Sequence, residues 1–170
     1  MFAKQNYFGN RIKKLCLYAM LVAVCMVVGF LESLFQLSFI APGVKIGLSN
    51  AVACVLISLG DVKGAFAVNI SRILLSALLF GSPVSLLFAL CGGVTSLIVM
   101  ALLNKTGRLS PIGVSSVGGA VHNAAQCAAG VFVIGGGVIY YLPVLLVAGV
   151  ACGVAVGTLS VPIIQRVRKG

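Results

Sequence analysis

The sequence has no tryptophan, one histidine and two acidic residues, Glu32 and Asp61. Each shortage excludes a chemistry. One histidine and two carboxylates supply too few ligands for a zinc or other transition-metal centre. Two acids cannot build the paired clusters that hold several magnesium ions on a diphosphate. There is no G-x-x-x-x-G-K-[ST], so ATP is not bound here by a P-loop. No G-x-S-x-G elbow presents a serine nucleophile. No catalytic residue, metal site or cofactor is therefore expected, and any ATP hydrolysis falls to partner subunits. The six cysteines (Cys16, Cys25, Cys54, Cys91, Cys127 and Cys152) form no C-x-x-C pair. They lie in apolar runs and read as small buried hydrophobes, not metal ligands or disulfides.

Charge is the scarcest commodity. Only 8% of residues are charged, against roughly a quarter in a soluble domain. Hydrophobic residues make up 61%, and runs long enough to cross a bilayer recur along the whole length. The sequence predicts an all-α integral membrane protein, with residues 1–170 as a single transmembrane domain and no second soluble domain. Six spans fit: about Leu15–Gln36, Pro42–Leu59, Gly64–Phe80, Pro83–Asn104, Pro111–Ile134 and Val138–Ile164. Breakers separate them, among them Gly60-Asp61, Gly81-Ser82-Pro83, Ser110-Pro111 and Gly135-Gly136-Gly137. A basic N-terminus (about 1–14) and a basic C-terminal tail (about 165–170) flank the spans. The N-terminal run from Leu15 to Leu31 imitates a signal peptide. It is long for that role and lacks an A-x-A site, so it reads as a retained span.

The net charge of +10 raises the question of nucleic acid. No basic helix with interleaved aromatics and no nucleic-acid motif appears. Basic residues in short loops instead set membrane orientation. With both termini in the cytoplasm, Lys4, Arg11, Lys13, Lys14, Lys63, Lys105, Arg108, Arg166, Arg168 and Lys169 all fall on the cytoplasmic side, and the external loops hold none. The expected setting is the cell membrane, with lipid around the chain and no nucleic-acid partner. Tyr140 and Tyr141 suit the membrane interface.

Four ionisable groups remain inside predicted spans: Glu32, Lys45, Arg72 and His122. Such groups are expensive at membrane depth and mark pathways, ligand sites or buried pairs. With a rise of ~1.5 Å per residue, Arg72 lies near mid-membrane, His122 at ~17 Å from the cytoplasmic end and Gln126 ~6 Å beyond it. Glu32 lies near the outer end of the first span, and Lys45 and Asn50 at the outer start of the second. Asn69 and Arg72 share a face at i, i+3, and His122 and Gln126 at i, i+4, with Asn123 between them. Together they predict a solute site in the outer half, made of Lys45, Asn50, Asn69, Arg72, His122, Asn123 and Gln126, with Glu32 nearby. Amide donors and acceptors beside a guanidinium suit an anionic or carbonyl-rich ligand. The plainer alternative is structural. Glu32 would pair with Lys45 or Arg72, and the Asn, Gln and His side chains would tie helices together.

The segments PGVKIGLSN (42–50), NISRILLSALLFG (69–81), GAVHNAAQ (119–126) and LPVLLVAGVACGVAVG (142–157) carry a family resemblance over nearly the whole chain. The sequence resembles the small membrane proteins called Gx transporter or heptaprenyl diphosphate synthase component I. That family is grouped with the substrate-binding S components of energy-coupling factor (ECF) transporters. The resemblance implies a six-helix bundle like that of S components, a solute pocket near the outer face, a transmembrane coupling (T) subunit and a pair of ABC ATPases as partners. The solute would be small and anionic, or like a vitamin or cofactor. It also implies a contact between the first helix and the coupling subunit through a small-xxx-small pair, which Ala19 and Ala23 match. The second family name implies another role, that of a non-catalytic membrane accessory subunit of isoprenoid diphosphate or quinone synthesis. Gly149, Gly153 and Gly157 form a longer small-residue ladder in the last span, read as packing within the chain.

Overall fold

The computed structural model describes residues 11–34, Gly47 and residues 50–169. Among these the chain is all helical, with α1 (Arg11–Leu34), α2 (Asn50–Ser58), α3 (Val62–Phe80), α4 (Pro83–Thr106), α5 (Pro111–Val133) and α6 (Leu142–Lys169), and a 3-10 helix, Gly136–Tyr141, leading into α6. Local chemistry sets the boundaries. Asp61 caps α3 by accepting from the Gly64 amide at 3.2 Å. Ser82 and Ser85 form a reciprocal capping box around Pro83, and Ser110 caps α5 just before Pro111. Each serine satisfies amides that the first helical turn leaves without partners, and each proline occupies the position where a missing N–H does no harm. Gly107 closes α4 in the left-handed region at φ 63°, which glycine adopts without strain.

Among the described residues four helical stretches are long and apolar enough to cross a membrane: Arg11–Glu32, Val62–Leu79, Pro83–Thr106 and Gly136–Lys169. Two of the six predicted spans are not among them. α2 is nine residues, Asn50–Ser58, and Gly47 before it is not helical, at φ 75°; the first part of the predicted span from Pro42 lies outside the described residues. α5 is long enough at 23 residues, but its serines, glycines, His122, Asn123 and Gln126 dilute its hydropathy.

Four expectations are corrected. The last helix does not begin at Val138; residues 136–141 wind as a 3-10 turn before α6 starts at Leu142. Nor do 165–169 form a tail, since α6 continues through Pro162 to Lys169. At the other end Arg11, Lys13 and Lys14 already lie on α1. The cysteines are also not uniformly buried. Cys25, Cys54 and Cys127 are, but Cys16 is exposed.

Polar contacts fix the ends of the bundle. Lys14 pairs with Asp61 at 3.2 Å, and the Tyr18 hydroxyl donates to the same carboxylate. Asn104 Nδ2 donates to the Ile57 carbonyl at 2.8 Å, and Arg168 Nη2 to the Ser58 carbonyl at 3.0 Å. The starts of α1 and α3 and the ends of α2, α4 and α6 thus meet at one end. Arg11, Lys13, Lys14, Lys63, Lys105, Arg108, Arg166, Arg168 and Lys169 gather there. The connections at 80–83 and 133–142, at the opposite end, carry no charge. A core of Cys25, Ala53, Cys54, Leu56, Ile57, Ala65, Val68, Leu97, Met100 and Val114 fills the basic half.

α1 packs on α2 and α3 alone among the described helices, so the Lys14–Tyr18–Asp61 cluster is its main polar anchor. Asp61→Ala removes the carboxylate that Lys14 and Tyr18 share, and with it the α3 cap. It should lower the unfolding free energy by about 1–3 kcal/mol. Thermal unfolding in detergent measures this, with the exposed Lys63→Ala as control. Equal melting temperatures for the two variants would remove the anchor from the account.

Candidate functional site

The half of the bundle away from the basic end is hollow. A cavity of about 810 Å³ is walled by α1, α3, α4, α5 and α6, with Gly47 and Asn50 beside them. Arg72 enters from α3. Its Nη2 donates to Asn69 Oδ1 at 2.9 Å, one turn back on the same face. Asn69 is 4% exposed, and it steers the guanidinium. Its own Nδ2 is buried without a hydrogen-bond partner among the described residues. Glu32 lines the cavity from α1 and acts electrostatically on Arg72.

From α5 come His122, Asn123 and Gln126, all three in the cavity wall. They do not serve alike. Asn123 Nδ2 donates to the Leu145 carbonyl at 2.7 Å, so it ties α5 to α6 while bordering the space. His122 and Gln126 instead lie against α4, where Gly92 makes room. A methyl group at position 92 would stand 2.9 Å from Gln126 Cγ and 3.0 Å from His122 Nε2. One at position 93 would stand 2.9 Å from Asn69 Nδ2 and 2.8 Å from Ile73 Cδ1. The Gly92–Gly93 step is therefore what lets Asn69 and Ile73 of α3 and the α5 pair (His122, Gln126) approach α4 from either side.

The sequence reading did not single out this step. Two consecutive glycines in mid-helix were the available signal, since each costs about 1 kcal/mol against alanine there. It also passed over Ser96, which donates to the Gly118 carbonyl at 2.8 Å, and the buried Ser115. Both lie on the cavity wall. Serines in an apolar run are common packing residues, so nothing in the pattern marked them.

The eight expected solute-site residues divide as follows. Glu32, Asn50, Arg72, His122, Asn123 and Gln126 border the cavity, and Asn69 stands behind Arg72. Lys45 lies outside the described residues. Ala19 and Ala23, expected at a partner interface, are exposed on α1 away from the cavity.

Among the described residues the wall offers one guanidinium, one carboxylate, an imidazole and amide groups, set among Met26, Phe30, Phe88 and Leu86. Among the described residues no three metal-ligating side chains cluster. Such a wall can bind and orient a polar organic molecule with an apolar body.

A family model described as heptaprenyl diphosphate synthase component I matches residues 21–162. No curated protein and no solved structure matches the chain.

Proposed function

The chain belongs to the heptaprenyl diphosphate synthase component I family, and we propose that it is a membrane-embedded subunit that binds a small solute bearing an anionic group. The observation that carries this reading is the cavity of about 810 Å³ with Arg72, Glu32, His122 and Gln126 in its wall. Intramembrane ionisable groups that converge on a space are functional by default. A volume of this order is that of a site for a small molecule or cofactor. In this reading α2 and α5 cross the membrane with the four apolar stretches. The basic end faces the cytoplasm and the cavity faces outward. The protein is not an enzyme by itself. It acts as the S component of an ECF-type transporter in the cell membrane, with a coupling subunit and two ABC ATPases.

A second reading rests on the family description, which names a synthase component and so supports it more directly than transport. The chain would be a non-catalytic membrane accessory subunit of isoprenoid diphosphate or quinone synthesis, with another synthase component as partner. Purification from the native membrane in mild detergent separates the two. Co-elution of a coupling subunit and ATPases supports transport. Co-elution of a prenyl-chain enzyme, with shortened or depleted quinone chains on gene deletion, supports the accessory role and overturns transport.

The transport reading also makes Ala19 and Ala23 a contact surface, since small residues let helix backbones approach closely. Both are exposed. In the Ala19→Leu/Ala23→Leu double variant, solute binding by the isolated protein should persist while coupled uptake falls to background. Loss of both together would place this face inside the fold.

A further inference from the structure

We propose that the basic end of the bundle binds the headgroup phosphates of anionic phospholipids, and that its best-formed site is the groove beside Pro162 on α6, where Gln165, Arg166 and Lys169 hold the phosphate. The proposal needs the chain to be embedded in a membrane. It stands whether the cavity at the other end serves transport or an accessory role.

The first observation is an imbalance of charge that the chain does not settle by itself. Arg11, Lys63, Lys105, Arg108, Arg166 and Lys169 are all exposed at one end of the bundle. The sequence holds two acidic residues, Glu32 and Asp61. Asp61 is shared by Lys14 and Tyr18, and Glu32 lines the cavity in the other half. The segments outside the described residues contain no aspartate or glutamate. No carboxylate side chain of this sequence is therefore left for the exposed cations, and their counter-charge comes from outside the chain.

The second observation is where the cations stand. Arg11 shares a helix face with the exposed Leu15 on α1, Lys105 with Leu102 and Ile98 on α4, and Arg166 with Ile163 and Leu159 on α6. Spacings of three, four and seven residues put each set in one stripe. Each cation thus stands ~5 Å along the axis from apolar surface, and its long stem can reach past that surface to the polar layer. A phospholipid presents its acyl chain and its phosphate in the same order. An acidic protein in solution would meet the end face of the bundle but not these apolar stripes, so the pattern favours lipid.

α6 supplies the best-formed site because its last basic residues divide by facing. Arg168 Nη2 donates to the Ser58 carbonyl at 3.0 Å and so ties α6 to α2. Arg166 and Lys169, spaced i, i+3, line a shallow groove with Gln165 and Pro162. A guanidinium fork, an ammonium and an amide together give a phosphate both charge and directed donors. Basic pockets at the cytoplasmic ends of membrane helices take anionic headgroups in this way.

Native mass spectrometry and thermal unfolding of the full-length protein in detergent test this, with phosphatidylglycerol and phosphatidylcholine of identical acyl chains as probes. Phosphatidylglycerol should bind and raise the melting temperature by several degrees, and phosphatidylcholine should do neither to that extent. Arg166→Gln/Lys169→Gln should weaken phosphatidylglycerol binding by roughly tenfold or more, the scale of two basic groups at a charged surface. Lys63→Gln/Lys105→Gln removes the same charge from the same end and should weaken it less. Equal binding and stabilisation by the two lipids would overturn the proposal. Inorganic phosphate that reproduces the whole shift at millimolar concentration would replace lipid by a free anion. Equal losses in the two double variants would overturn the α6 groove as the site. An acidic protein that co-purifies, leaves at high salt and is not displaced by phosphatidylglycerol would assign the basic end to that partner instead. The wild-type lipid comparison decides the headgroup class even where a variant does not fold.

Discussion

Gly153→Leu should leave no folded protein in detergent, and Gly153→Ala should already lower stability by about 1–3 kcal/mol. The reason lies in the crossing of α5 and α6. Gly149, Gly153 and Gly157 recur every fourth residue and so share one face of α6. That face meets the backbone of α5. A methyl group at Gly149 would stand 2.5 Å from the Gly119 carbonyl oxygen, and one at Gly157 2.6 Å from Ile112 Cα. At Gly153 it would overlap the carbonyl oxygen of Ser115. These obstacles are backbone atoms, so no rotamer change relieves them. The helices must separate, and the cavity wall they share must open. Gly136→Ala is the control, because nothing lies within 4 Å of a methyl group there. Size-exclusion profiles and thermal unfolding give the readout. A Gly153→Leu protein that elutes cleanly and melts near the wild type would mean that the crossing is looser than described.

That ladder was legible in the sequence as packing within the chain, and its partner was not. Spacing shows that three glycines share a face. It does not show which helix covers them, because Gly118–Gly119 in α5 and Gly92–Gly93 in α4 present equally small surfaces. Helix starts were legible wherever a side chain sets them, as at Asp61, Ser82-Pro83 and Ser110-Pro111. The start of the last helix was not. Gly135 turns at φ 117° and the next six residues wind as a 3-10 helix, and apolar residues read the same in either winding. The end of α6 was hidden by composition. Basic residues after Pro162 look like a tail, yet Arg168 reaches the Ser58 carbonyl and the helix persists to Lys169.

The polar cavity was legible for a simple reason. Arg72, His122 and Gln126 stand out in an apolar chain, and helical rise alone places them at similar depth. What pattern could not reveal is division of labour. Asn123 sits between two cavity residues, and one of its amide donors goes to the Leu145 carbonyl. Asn69 reads as a ligand group, and its Oδ1 also accepts from Arg72.

That division ranks the expected effects of mutation at the site. Arg72→Gln should weaken solute binding by on the order of 2–5 kcal/mol, the loss seen when one partner of a desolvated, hydrogen-bonded charge pair is removed. Glutamine keeps some length and hydrogen-bonding capacity but neither the charge nor the fork. His122→Ala should cost less, about 1–2 kcal/mol, because it removes one hydrogen-bonding group and leaves a partner unpaired. The opposing account makes Glu32 and Arg72 a pair that only holds α1 against α3. Such a pair, broken on one side, destabilises the fold by several kcal/mol, whereas removing both sides is close to neutral. The two accounts therefore part in the Glu32→Gln/Arg72→Gln double variant. If Arg72 binds the solute, affinity stays lost in the double variant whatever the melting temperature does. If the pair is structural, Arg72→Gln lowers the melting temperature and the double variant restores it. Affinity by isothermal calorimetry and melting temperature on the two single variants and the double one supply both readouts. A folded Arg72→Gln protein with wild-type affinity would sink the assignment of Arg72 to the solute.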